Sequence, residues 1–438
     1  MRWTREAKSW LIGMSDYREA RPGLHGPGGP SSVRRRPRAG SRISAVLAGL
    51  AAALVLAAPS GAGLWDALSR ALVTPGVSSS ATGAFAFDLS RSSIVYRQNQ
   101  LVPYRPASNA KLTVAVTALD RLGPGFRIPT DVLGVGTLDA GVWQGRLILK
   151  GYGDPALTRR RLAGLAAQVR AAGIAKVTGR ILGDESYFDS VRVGPGWKPS
   201  YYKDESPPLS ALVVDRARVG SHIADEPARA AARLFKAALK AAGVAVPGTA
   251  GKGLAGTGAA LIARSHSRLL SRLVGRMDRV SDNFFAEMLL KELGARIRGS
   301  GTTAAGARVV RSELRQRGVN MTGVRIADGS GLSRYDRLTA RAIGQLLISA
   351  VSDTAISSAF VASLPIAGVN GTLKDRMTTL PAYRRVFAKT GTTNVASALS
   401  GYVTTRYVFA ILQNGNPIPW WYARAAQDRF AQVLAGAA

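Results

Sequence analysis

The sequence contains no cysteine among its 438 residues. That absence excludes disulfide staples, thiolate metal sites and a cysteine nucleophile, and it suits a protein that enters an oxidising compartment. Histidine is nearly absent too. His25, His222 and His266 are scattered, none in a spacing such as H-E-x-x-H, so the pattern supports neither a histidine-held metal nor a Ser-His-Asp triad. Acids are scarce, 27 against 59 lysines and arginines, which leaves a net charge of +32. The arginines run along the whole chain, and no RNP-like aromatic motif, recognition helix or zinc finger accompanies them, which argues against nucleic acid as a partner. The charge fits an arginine bias in composition or attraction to an anionic wall or membrane surface. Long hydrophobic runs are also missing: residues 43–58 make 16 apolar-rich positions, where about 20 are needed to cross a bilayer.

What the chain does have at its start is the order of a secretory signal. Residues 1–42 are polar and rich in Gly, Pro and Arg, ending in Arg34-Arg35-Arg36-Pro37-Arg38 and Arg42. The apolar run follows, then Pro59-Ser60-Gly61-Ala62-Gly63. Basic, apolar and small residues in that order predict export across the cytoplasmic membrane, with cleavage at Ser60-Gly61-Ala62 and no retained anchor at 43–58. The stretch ahead of the arginines is long for a signal, so translation is expected to begin near Val33.

Beyond the leader, 83–89 and 93–96 alternate as two strands of a hairpin. A helix is expected over 108–122, stopped by Gly123-Pro124. Short strands at 130–133, 145–149 and 179–183 then alternate with a helix at 159–172. A loop rich in Pro, Tyr and charge covers 195–208, a helix 227–243, and the Gly-rich stretch 246–257 reads as a boundary. Helices at 267–279 and 283–293 follow, then strands at 386–388, 396–403 and 407–412 and a closing helix at 422–434. The early hairpin and the late strands flank everything else. If they share one antiparallel sheet, the chain divides into a leader, 1–62, a main domain from 63–124 and 261–438, and an insertion, 125–260.

Three short motifs carry the chemistry. Ser108-x-x-Lys111 opens the first helix, so the hydroxyl sits at the positive helix N-terminus with an amine one turn away. Ser281-Asp282-Asn283 lies at a helix junction, and Lys389-Thr390-Gly391-Thr392 at the end of a strand. Singly, each is a common cap or turn. In this order and in these settings they match the motif set of penicilloyl serine transferases. Ser108 is then expected to attack a carbonyl, with Lys111 as first proton acceptor. Ser281 relays the proton to the departing amine. Asn283 donates to a substrate carbonyl and holds Lys111. Lys389 keeps Lys111 deprotonated and favours an anionic substrate. Gly391 leaves room for a peptide along the strand edge. The N–H groups of Ser108 and Thr392 form an oxyanion hole, and the Thr390 and Thr392 hydroxyls receive a terminal carboxylate.

On these residues the chain resembles the low-molecular-mass class C penicillin-binding proteins, the D-alanyl-D-alanine carboxypeptidase and endopeptidase family. The likeness spans residues 85–412 and includes Gly151-Tyr152-Gly153-Asp154-Pro155, Gly183-Asp184-Glu185-Ser186-Tyr187-Phe188, Pro207-Pro208-Leu209-Ser210-Ala211-Leu212 and Ala327-Asp328-Gly329-Ser330-Gly331-Leu332-Ser333, read as scaffold turns. The resemblance implies an α/β (α+β) fold: a transpeptidase-like domain of five antiparallel strands with helices on both faces, interrupted between the first and second motifs. From Ser108 to Ser281 is 173 residues, room for one inserted domain where many relatives carry two. Relatives can read a cross-linking diamino acid through an acid after Pro-Gly-Trp. Here Pro195-Gly196-Trp197 leads into Lys198-Pro199-Ser200-Tyr201, and acids come only at Asp204 and Glu205.

The implied activity is an exported serine-type carboxypeptidase that cleaves peptidoglycan stem peptides through an acyl-enzyme on Ser108, is acylated by β-lactams, and needs no cofactor or metal. Cleavage of D-alanyl cross-links stays open beside it. A β-lactamase would need a deacylating glutamate a few dozen residues after the second motif, closely followed by an asparagine. Glu313 is the sole acid in 311–325, and Asn320 lies too far beyond it. A non-catalytic wall-binding protein on the same fold would not need the intact motif set.

Overall fold

A computed structural model describes residues 61–438; of the expected leader, 1–62, residues 1–60, with the basic run, the apolar segment and the expected start near Val33, lie outside the described residues. Gly61 and Ala62 of the expected cleavage site open a helix, α1 (Gly61–Ala71).

The main sheet joins the two ends of the described chain. Strands β1 (Thr82–Asp88) and β2 (Ser93–Gln98) form a hairpin, and β1 pairs in turn with the last strand of a C-terminal meander. The order is β11 (Val386–Thr393), β12 (Ala396–Val403), β13 (Tyr407–Asn414), β1, β2, antiparallel throughout. Because side chains alternate across a strand, β13 sends Val408, Ala410 and Leu412 to one face and Tyr407, Phe409 and Ile411 to the other. The first face packs against helices from the middle of the chain. The second is covered by Leu64 and Leu68 of α1 and by Phe430 and Leu434 of the closing helix, Trp420–Gly436. Every residue of β12 is buried, as a strand covered on both faces requires.

On the first face lie α2 (Ala110–Leu122), the pair Leu270–Arg279 and Asn283–Arg298, and helices Thr303–Gln316 and Ala340–Ser352. Leu112, Val116 and Leu119 of α2 are fully buried beside Phe284, Met288 and Leu289. Gly123 ends α2 at φ 83, as expected of a glycine stop.

Between α2 and Leu270 the chain builds a second, mixed sheet. Strands β3 (Pro129–Asp139) and β4 (Val142–Gly151) form a long hairpin; β5 (Lys176–Val177) and β6 (Ile181–Asp184) both add parallel to β4, and β7 (Arg218–Val219) pairs with β8 (His222–Ile223) as a separate two-stranded ribbon. β9 (Ala250–Lys252) adds parallel to β6, and β10 (Ala260–His266) closes the far edge on β3. Its core is apolar residues of α3 (Arg159–Ala171) and α4 (Pro227–Ala241), such as Leu165, Val169, Phe235 and Leu239, against Leu147, Leu149 and Ile181. Two expectations need correction. The Gly-rich stretch at 246–257 is not a boundary: it contains β9, and a side chain at Gly253 would meet Leu182 at 2.8 Å, so this glycine marks close packing. The expected break at 260 falls at the start of β10, whose pairing carries the second sheet on to His266.

Candidate active site

Ser108 lies in a tight turn, Ala107–Asn109, that runs directly into α2. The expected helix therefore begins with one 3₁₀ turn, entered through Ala107 at φ 46. A non-glycine residue in this left-handed region costs about 1–3 kcal/mol and persists only where its surroundings enforce it. Gly331 permits it, since a side chain there would stand 1.8 Å from the Ala107 carbonyl oxygen.

One turn into α2, Lys111 is fully buried. Its Nζ lies 2.9 Å from Ser108 Oγ, 2.8 Å from Asn283 Oδ1 and 2.7 Å from the Ser330 carbonyl oxygen. An amine in its neutral form carries two N–H groups. With both directed at Asn283 and Ser330, its lone pair is left for Ser108. Burial pushes Lys111 down to about 8, against weaker opposition from Asp328 and Glu287.

The second motif arrives at the junction between the helix Leu270–Arg279 and the helix Asn283–Arg298. Ser281 adopts φ 58, and Asp282 caps the second helix by accepting from the Phe285 N–H at 3.3 Å. That cap leaves Asn283 at the first helical position, facing Lys111. The Asn283 amide donates to Glu205 Oε2 at 3.1 Å and to the Glu205 carbonyl at 3.2 Å.

The third motif occupies β11. Lys389 is fully buried and donates to Ser281 Oγ at 2.9 Å and to the Thr390 carbonyl at 3.0 Å. Burial pushes it down to about 7, and the charge of Lys111 adds to the shift. For Lys111, burial rather than Lys389 is the leading cause, which corrects the expected division of labour. Lys389 and Gly391 share the helix-covered face with Phe387, whereas Thr390 and Thr392 point to the face of the closing helix. A side chain at Gly391 would stand 3.0 Å from both Pro106 O and Ser108 N. Gly391 thus makes room for the turn that carries Ser108, a close approach that its place on the strand did not announce. Thr390 donates to the Thr372 hydroxyl at 2.7 Å, and Thr392 accepts from Arg424 at 3.1 Å.

Ser108, Ser281, Asn283, Thr390, Gly391 and Thr392 therefore line one open cleft of roughly 660 Å³, while Lys111 and Lys389 are buried beneath it, bonded to Ser108 and Ser281. Among the described residues that line it, Glu205 is the one carboxylate. Glu313, the sole acid weighed for deacylation, sits in the helix Thr303–Gln316, buried and bonded to Arg317 at 2.6 Å.

Sequence reasoning missed three contributors. Ser330, read as part of a scaffold turn, gives its carbonyl to Lys111. Glu287 fixes that turn by accepting from the Gly329 and Ser330 N–H groups at 3.0 and 2.8 Å, and burial pushes it up to about 8. The signal was an acid inside the apolar run Phe284-Phe285-Ala286-Glu287-Met288-Leu289-Leu290. Arg424 had no local signal, because the fold alone brings the closing helix to Thr392.

A family model described as the D-Ala-D-Ala carboxypeptidase 3 (S13) family matches residues 64–229 and 220–436. The D-alanyl-D-alanine carboxypeptidase of Actinomadura sp. (strain R39) is 31% identical over 473 aligned positions, covering 88% of this chain and 87% of that protein. Carboxypeptidase DacB of Mycolicibacterium smegmatis is 30% identical, over 86% of this chain and 84% of its own length. Among solved structures, penicillin-binding protein 4 (dacB) of Haemophilus influenzae superposes with a TM-score of 0.75 at 23% identity, over 85% of this chain and 98% of that one, which establishes the fold.

Proposed function

The chain belongs to the D-Ala-D-Ala carboxypeptidase 3 (S13) family, the low-molecular-mass class C penicillin-binding proteins, and from that premise we propose that its Ser108 cleft performs serine-type D-alanyl-D-alanine carboxypeptidase chemistry on peptidoglycan stem peptides. The observation that carries the reading is the placement of Lys111 between Ser108, Asn283 and Ser330.

The steps follow from that placement. Neutral Lys111 takes the Ser108 proton as Oγ attacks the carbonyl of the penultimate D-alanine. The tetrahedral oxyanion rests on the N–H groups of Ser108 and Thr392, a contribution of about 3 kcal/mol per donor. Lys389 holds the Ser281 hydroxyl, which passes the proton on to the departing amine. The C–N bond breaks, D-alanine leaves, and the acyl chain remains on Ser108 until water releases it. Asn283 bonds the substrate carbonyl once Glu205 gives up the amide it now holds. A β-lactam enters by the same attack, but its amine stays tethered to the acyl group. The one carboxylate that lines the cleft among the described residues, Glu205, is engaged by the Asn283 amide, and Glu313 is buried against Arg317 in a separate helix, so the adduct is expected to persist.

The remaining parts of the reading concern placement in the cell and in the chain. The catalytic domain is formed by residues 63–127 and 267–438, and the second sheet, 128–266, is the insertion. Residues 34–62 act as an export signal, and the excess positive charge favours residence at an anionic envelope surface. N-terminal sequencing of the envelope-associated protein checks export: a first residue within 61–64 is expected, and an intact leader contradicts it. The activity is tested by D-alanine release from a synthetic stem peptide ending in D-Ala-D-Ala. Release abolished by prior penicillin treatment is expected; absence of release rejects the assignment.

A further inference from the structure

Thr392 closes the third motif, and its hydroxyl oxygen is already an acceptor, from Arg424 Nη2 at 3.1 Å. That leaves the hydroxyl proton to be donated into the cleft. Arg424 itself lines the cleft, half-buried, with its guanidinium 4.5 Å from the centre of the Trp420 ring. Stacking fixes a guanidinium plane while leaving its edge N–H groups free.

The neighbouring arginine is differently placed. Arg376 also reaches the cleft, but it is tied to Asp428 at 2.7 Å. For Arg424 no carboxylate stands within ion-pair distance among the described residues. Burial, and after it the proximity of Arg376, weaken the hold of Arg424 on its charge, against the opposing charge of Asp428. Asp428 is itself engaged by Arg376, so Arg424 stands at the end of the cleft with no carboxylate bonded to it among the described residues. The helix that carries it is anchored: Gln427, fully buried, donates to Ser397 Oγ at 2.9 Å and to Gln413 Oε1 at 3.1 Å. Arg424 is thus presented from a rigid element, not from a loop.

The geometry points to Arg424, stacked on Trp420, as the residue that reads the free carboxylate of the leaving D-amino acid, acting beside the Thr390 and Thr392 hydroxyls. This rests on the carboxypeptidase reading and deepens it, because it makes the cleft selective for leaving groups that end in a carboxylate over those whose C-terminus is capped. Charge-assisted, two-pronged contacts of guanidinium and carboxylate are among the stronger hydrogen bonds a protein makes. A reading of charge also loses strength as salt rises.

The test compares one stem peptide ending in D-Ala-D-Ala as the free acid with the same peptide as the C-terminal amide. The quantity read is the ratio of their kcat/KM values. Wild type is expected to prefer the acid, and Arg424→Gln to reduce that ratio about tenfold, a loss of about 1.4 kcal/mol of discrimination. Arg424→Lys recovers part of the ratio, and Trp420→Ala lowers it by loosening the guanidinium. In wild type the ratio falls with ionic strength, a measurement that holds even if a variant folds poorly. An unchanged ratio in Arg424→Gln, or a preference insensitive to salt, overturns the assignment while leaving the carboxypeptidase reading intact. Absence of D-alanine release by wild type would overturn the reading beneath it.

Discussion

Arg216, in the inserted segment, grips both carboxylate oxygens of Asp282, the central residue of the second motif, at 3.0 and 2.8 Å. Asp282 is nearly buried, caps the helix behind Asn283, and among the described residues has one further ion-pair partner, Arg276 at 3.5 Å. The insertion thus does more than decorate the catalytic domain: it holds the segment that positions Ser281 and Asn283.

Arg216→Ala is accordingly expected to cost stability of about 1 kcal/mol, since the arginine is itself partly exposed and Arg276 remains. It should also slow acylation by penicillin, because Ser281 and Asn283 lose their brace. Thermal unfolding and acylation kinetics on the same variant check this; a variant that acylates at the wild-type rate would show that the bridge is only a surface contact.

The two buried amines set a pH dependence. Burial holds Lys111 at about 8 and Lys389 at about 7, so the pair sheds protons in steps near those values rather than near 10.5. The base works when neutral, so acylation is expected to rise with pH through about 7 to 8 and then level off. The same shifts act on stability with a definite sign. The unfolded amines hold their protons up to about 10.5, so the unfolded state binds more protons between about pH 7 and 10.5, and this contribution to stability grows with pH there. Stopped-flow acylation across pH 5 to 10 tests the rate; a profile flat through neutrality removes Lys111 from its role.

Gly391→Ala separates two roles for one glycine. If the residue merely let a peptide lie flat, substrate affinity alone would suffer. The new methyl group instead meets Ser108 N and Pro106 O at 3.0 Å and displaces an oxyanion donor, so the acylation rate constant is expected to fall by about a hundredfold. Acylation measured at saturating penicillin distinguishes the cases, and an unaltered limiting rate contradicts the structural role.

Much of this was legible in the sequence because it was local. The hairpin at 83–96, the helix after Ser108 and the three late strands carry clean periodicity, and each motif announces its own turn or cap. The rest depends on distance. The pattern at 130–133 shows four residues of β3, but the strand runs on through Gly134 and Gly136, and Gly134 is where the Trp143 ring packs, so the glycine marks packing and not a strand end. The helices Thr303–Gln316 and Ala340–Ser352 went unread, and both are long, well-packed elements. At the site, the expected residues do meet. What stayed hidden was every contribution made by a backbone atom or a remote element: the Ser330 carbonyl, the Glu287 anchor beneath it, Arg216 and Arg424. Glu287 alone left a trace, an acid inside an apolar run; for the others no local pattern exists, since the fold alone brings them together.

The central claim is that Ser108 is the nucleophile and Lys111 its base. It is tested most directly by treating the protein with penicillin and mapping the modified peptide by mass spectrometry. One adduct on Ser108 is predicted, absent from Ser108→Ala and formed at least a hundredfold more slowly in Lys111→Ala. An adduct that survives in Ser108→Ala, or an undiminished rate without Lys111, would contradict the account.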